Sequence, residues 1–95
     1  MLPVQWFAKA STNLATIIEY IAERNDVAAE ALQEDIERAV SQLPQHPYLH
    51  RPGRVLGTRE LIVHPNYLVV YRVRPNVIEV VTVLHARQQY PGRAR

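Results

Sequence analysis

The hydrophobic period changes once along this chain, and the change restricts what it can fold into. Leu14, Ile17, Ile18 and Ile21 fall at i, i+3, i+4 and i+7, the spacing that gathers side chains on one face of a helix. This predicts a first helix from about Ala8 to Arg24. After the break at Asn25-Asp26, with Asp26 as the expected cap, a second stripe runs through Leu32, Ile36, Ala39, Val40 and Leu43. Pro44 and Pro47 end it. From Thr58 onward the period is two: Thr58 to Val63, Tyr67 to Val73 and Val77 to Leu84 are short runs rich in β-branched and aromatic residues, which predicts three strands.

The joints between those strands are His64-Pro65-Asn66 and Arg74-Pro75-Asn76. In both, proline presets φ and asparagine suits a tight turn, so the three strands form a meander. Ahead of the helices, Leu2-Pro3-Val4-Gln5-Trp6 reads as a brief edge strand, where a proline costs no ladder donor. Residues 44–57 hold three prolines and two glycines and read as a loop. The expected order is β-α-α-β-β-β, an α+β fold with an N-terminal strand and an antiparallel helical hairpin packed on an antiparallel β-sheet. Ninety-five residues suffice for one domain, residues 1–95.

Absent residues exclude whole classes of chemistry. Without cysteine there is no disulfide, thiolate nucleophile or cysteine-ligated metal. His46, His50, His64 and His85 lack metal-ligand spacing, and no phosphate-cradling glycine loop, GxSxG or HExxH occurs, so neither metal nor cofactor is expected. The first residues lack the basic start and apolar run of a signal peptide, and no 18-residue apolar stretch exists, which predicts a cytoplasmic protein with no membrane partner.

Charge is divided unevenly. Residues 1–50 carry three basic groups against seven acidic ones, and residues 51–95 carry eight arginines against Glu60 and Glu79, giving −4 and +6. If folding keeps the halves apart, one side can concentrate an anionic partner. Arg51, Arg54, Arg59, Arg72 and Arg87 are the candidate binding residues, because guanidinium groups pair bidentately with phosphate or carboxylate. His64 and His85 stand at strand ends, where histidine can serve as acid or base, or simply as a hydrogen-bonded turn residue. Alternation sets Tyr67, Val69, Tyr71 and Val73 on one face, so Tyr71 reads as core, whereas Tyr90 lies beyond the last strand and is freer.

The run from Gly57 through Thr58-Arg59-Glu60-Leu61-Ile62-Val63-His64-Pro65-Asn66-Tyr67 to Val73, with Val83-Leu84-His85-Ala86-Arg87-Gln88-Gln89-Tyr90-Pro91, resembles the RelE/ParE superfamily of type II toxin–antitoxin toxins. The spacing of Ala10, Leu14, Ile17, Tyr20 and Ile21 and the Arg51 to Arg54 loop extend the resemblance over nearly the whole chain. It implies a helical hairpin on a sheet, neutralised by a cognate antitoxin through which alone operator DNA is reached. It also implies one of two activities. RelE-like members cleave mRNA on the ribosome without a metal; by position Arg87 and, loosely, Tyr90 would serve, with His85 and His64 as further catalytic candidates. ParE-like members inhibit DNA gyrase and cleave nothing. The lysines of the RelE-like set have no counterpart, since Lys9 is the sole lysine, and the acidic position near His64 holds Asn66. The Leu-His-Ala-Arg-Gln ending and the Arg-Glu-Leu strand are closer to ParE-like toxins, which makes gyrase inhibition the expected activity. A plain nucleic-acid-binding module is the third reading, to be recognised by a steep salt dependence on generic duplex DNA.

Overall fold

In the computed structural model the described residues are 1–88. Strand β1 (Val4–Trp6) leads into α1 (Ala8–Ala22) and α2 (Asp26–Ser41), and a single 3-10 turn (Leu43–Gln45) follows. Strands β2 (Arg51–Pro52), β3 (Arg59–His64), β4 (Tyr67–Val73) and β5 (Ile78–His85) complete the order. Asn25, one residue ahead of the expected cap, starts α2: its side-chain oxygen accepts from the Ala28 amide at 3.0 Å, while Asp26 sits in the first turn, where its charge suits the helix dipole.

The sheet order is β1-β5-β4-β3-β2. The meander is antiparallel as the turns require, but β1 runs parallel to β5, with Val4 beside Ile78 and Trp6 beside Val80, so the sheet is mixed. Short Pro-Asn turns can only reverse the chain, whereas the 71 residues from Trp6 to Ile78 permit a parallel return, and sequence pattern does not reveal which sense a three-residue edge strand adopts. The two-residue β2, unforeseen in the loop, pairs Arg51 with Glu60 on the far edge.

Alternation on β4 buries Val69 and Tyr71 against the helices, with Tyr67 and Val73 packed beside them. Strict alternation fails on β5. The register slips between Val70 and Tyr71, leaving Val81 as an extra residue. This bulge shifts parity, so that Ile78, Val80 and then Val83 all enter the main core. Leu68, Val70 and Leu84, on alternate positions, form a second small cluster with Val81 and Ala86.

From the helical layer, Leu14, Leu32, Ile36, Val40 and Leu43 are buried, while Ile17, Ile18 and Ile21 are only partly covered. Where β1 ends, α1 closes the edge of β5: the Asn13 side-chain oxygen accepts from the Thr82 hydroxyl at 2.6 Å and the Val83 amide at 3.3 Å. That contact satisfies a strand edge that no neighbouring strand reaches. Truncating Ile36 to alanine should destabilise the fold by about 2–5 kcal/mol through loss of buried contacts and an unfilled cavity. A urea titration of wild type and Ile36→Ala checks this, and coincident midpoints would displace α2 from the core.

Candidate functional site

Four sheet arginines divide between two carboxylates. Arg51 and Arg54 converge on Glu60, whose side chain is only 3% exposed: Arg51 Nη2 lies 2.8 Å from one carboxylate oxygen and Arg54 Nε 3.7 Å from the other. Strand register creates this hub, because β2 sets Arg51 directly across from Glu60. One strand further in, Arg72 on β4 is paired across strands with Glu79 on β5, and Arg72 and Arg74 approach its carboxylate at 4.0 and 3.2 Å. Arg72 Nε is buried without a hydrogen-bond partner among the described residues. Two carboxylates thus partly neutralise four arginines.

Arg59 turns its charge onto the preceding loop. One guanidinium nitrogen donates to the carbonyls of Tyr48 at 3.2 Å and His50 at 2.7 Å, and the group lies 5.2 Å from the centre of the Tyr48 ring. The buried Tyr71 hydroxyl donates to the Pro47 carbonyl at 2.7 Å, and the His50 ring meets Tyr71 edge-on at 6.2 Å. Burial raises the Tyr71 phenol above its ordinary value, against the opposing pull of Arg59. The same surroundings lower His50, first by burial, then by the charges of Arg59 and His46.

Further along, the loop turns on two glycines. Gly57 has φ +88°, a region that L side chains avoid, and a Cβ on Gly53 would collide with the Thr58 hydroxyl. The Gly53 amide donates to the Thr58 carbonyl at 2.7 Å, and the Thr58 hydroxyl donates to the Val55 carbonyl at 2.6 Å. Residues 47–60 are therefore bound to the sheet at several points.

His64, Tyr67 and His85 form a row across three strands, with the Tyr67 ring centre 5.8 Å from His64 and 5.2 Å from His85. Each histidine Nδ1 accepts a backbone amide two residues on, from Asn66 at 3.0 Å and from Arg87 at 3.1 Å. A neutral ring so held carries its hydrogen on Nε2 and offers solvent a donor rather than a lone pair. Arg87 is exposed on the turn after β5, and its side chain has no ion pair among the described residues. Arg54 reaches toward this turn, 3.5 Å from the Gln88 carbonyl. Tyr90 lies outside the described residues.

A separate feature on the helical layer escaped the sequence reading. An open groove of about 600 Å³ lies between α1 and α2, floored by Val4, Trp6, Leu14 and Val40 and rimmed by Glu19, Gln33 and Glu37. The partial exposure of Ile18 is its trace. Periodicity marks which face of a helix is apolar, but not how completely that face is covered.

These features belong to a known family. The family model described as the ParE toxin of the type II toxin–antitoxin system parDE matches residues 4–90. Y4kP of Sinorhizobium fredii, a protein named as a toxin, is 37% identical over 89 residues, covering 93% of this chain and 92% of its own. Toxin RelE2 of Caulobacter vibrioides is 30% identical over 88 residues, covering 90% and 97%. In fold, the chain is similar to a structure of the chromosomal ParDE toxin–antitoxin system of P. aeruginosa, with TM-score 0.81 and 24% identity over 90% of this chain and 96% of that one. The chain belongs to the ParE toxin family of type II toxin–antitoxin systems, within the RelE/ParE superfamily.

Two measurements probe the loop and its hub. Glu60→Gln removes the charge that both arginines share, and it should lower stability by about 1–3 kcal/mol, because the carboxylate is buried while the guanidinium groups are partly in water. Matching denaturation midpoints for the variant and wild type would show the hub to be energetically idle. For His50, the folded pKa lies below the ordinary 6.5, so the unfolded chain takes up the proton more readily. Stability should fall as pH drops through 6.5 and level off below the folded pKa. His50→Gln should flatten that part of the profile; an unchanged slope in urea titrations from pH 7 to pH 5 would assign the fall to other groups.

Proposed function

We propose that this toxin arrests growth by binding and inhibiting DNA gyrase in the cytoplasm, without cleaving RNA, and that a cognate antitoxin holds it inactive. The observation that carries the reading is the pairing of the sheet's cations. Catalysis of phosphodiester cleavage needs positive groups preorganised toward the scissile phosphate, whereas Arg51 and Arg54 face Glu60, Arg72 and Arg74 face Glu79, and Arg59 holds the loop. The match to the ParE toxin family supports the same reading. Operator DNA would be reached only through the antitoxin.

Ribosome-dependent mRNA cleavage is the second reading, favoured by the proximity of His64, Tyr67, His85 and the Arg87 turn. In it, Arg87 would stabilise charge on the phosphate and a histidine would transfer the proton. The Nδ1 contacts count against a base at either ring, since the available nitrogen already carries hydrogen.

For the antitoxin, the groove between the helices is the better seat than the paired arginines. Its apolar floor suits an amphipathic segment, and Glu19 and Glu37 on the rim suit basic flanks on that segment. Ala15 lines the groove and is exposed. Ala15→Trp should fill the space, leaving toxicity intact while weakening rescue by the antitoxin; full rescue would move the docking site elsewhere.

The activities separate in one pair of assays on one preparation. Wild type should inhibit supercoiling by purified gyrase, or trap cleaved DNA on it, without ribosomes present. Programmed ribosomes should retain intact mRNA. Codon-specific cuts that disappear in Arg87→Ala, with gyrase undisturbed, would establish the nuclease reading instead.

A further inference from the structure

Eight large hydrophobic side chains are exposed among the described residues, and five of them, Tyr48, Leu49, Val55, Leu56 and Ile62, fall within fifteen consecutive positions. Leu56 is fully exposed and Leu49 is 73% exposed. Scattered exposed apolar side chains need no explanation, but a concentration on one short segment does. The segment is also held in place. Arg59 binds the carbonyls at 48 and 50, Tyr71 binds that at 47, Thr58 binds that at 55, and Glu60 bridges to Arg51 and Arg54. Apolar side chains displayed on a braced loop can bind with little further ordering cost.

Charge identifies the chemistry of the partner. Between Glu37 and Glu79 the sequence contains a single acidic residue, Glu60, and it is buried. The cations beside the apolar residues, Arg51 and Arg54, remain 53% and 42% exposed while sharing that one carboxylate. The loop therefore interleaves exposed apolar side chains with cations and carries no exposed acid. Leucine and valine side chains offer little to a phosphate backbone, which is bound through cations and polar groups, so the pattern fits a protein rather than a nucleic acid.

We infer that the braced loop of residues 47–57 is the surface by which the toxin grips its protein target, docking on a patch that combines acidic and apolar groups. This inference rests on the reading that the chain acts by inhibiting a protein. It assigns the loop to the target rather than to the antitoxin because the groove between the helices, with its acidic rim, selects a segment of the opposite charge. The two partners then occupy faces of opposite sign.

The test uses the full chain with Leu49→Asp, Leu56→Asp and the double substitution. Val27→Asp, equally exposed at 77% but on α2, is the control. The expected result is a rise of at least about tenfold in the concentration needed to halve gyrase supercoiling for the double variant, as for truncation of an interface hot spot. The control should inhibit like wild type, all variants should melt together, and all should co-purify with the antitoxin. Association of wild type with gyrase should slow as salt is raised. Inhibition by the double variant equal to that of wild type would overturn the inference. So would loss of antitoxin co-purification with toxicity intact, which makes the loop the antitoxin's seat, or tight wild-type binding to a generic 20-base-pair duplex that the substitutions abolish. If wild type leaves gyrase untouched, the gyrase reading fails alone. The loop is then judged by growth arrest in cells: loss of arrest with retained antitoxin binding supports it, and undiminished arrest overturns it.

Discussion

The first strand lies beside the last, and most of the fold follows from that pairing. The Ile78 amide donates to the Pro3 carbonyl and the Phe7 amide to the Val80 carbonyl, each at 2.9 Å, clamping β1 along β5 before α1 begins. Such a contact closes a loop of some seventy residues, so its entropy must be offset by what the closure buries. The return is the helical hairpin itself, carried across the face of the sheet with Ile36, Val40 and Leu43 against Val69, Tyr71 and Val80. Because β1 spans only three residues, the upper half of β5 is left for Asn13 to close, and the two helices part enough to leave the groove above Val4 and Trp6.

The charge division along the sequence becomes a division in space. All seven acidic residues of the first half lie on the helices or at the turn between them, and the described arginines of the second half lie on the sheet and its loops. The basic side is not a bare field of cations, however. Glu60 and Glu79, the only acids of that half, sit where strand register sets arginines against them. Removing water from Glu60 is costly, and two guanidinium groups compensate for it. The same pairs brace the loop.

How much of this could be read in advance depends on how local its cause is. Both helices, the meander and the burial of Tyr71 follow from period and turn chemistry, which act over a few residues. The Asn25 cap was displaced by one position because Asn and Asp are near equal as caps and only geometry chooses between them. The parallel sense of β1, the parity shift at Val81 and the groove arise from contacts between distant segments, and no periodicity carries them. For the candidate site, residue type singled out the arginines as charged groups on or beside the sheet. It could not say that Arg59 would be spent on the Tyr48 and His50 carbonyls, or that Arg72 would face Glu79 while Arg51 shared Glu60 with Arg54.

That distribution bears on how a chain this small can be toxic. An enzyme of this size must aim several ionisable groups at one reacting atom and leave them uncommitted until substrate arrives. Among the described residues most groups with suitable chemistry are committed already, Arg59 and Tyr71 to loop carbonyls, His64 and His85 to backbone amides, and four arginines to two carboxylates, while Arg87 stands exposed on the turn after β5. Each commitment adds rigidity and removes freedom to take part in proton transfer. Rigidity of this kind favours binding, because a surface that is already ordered loses little entropy when a partner lands on it. A surface ordered in this way is suited to the proposed occupation of a protein target, where potency is set by how slowly the complex dissociates.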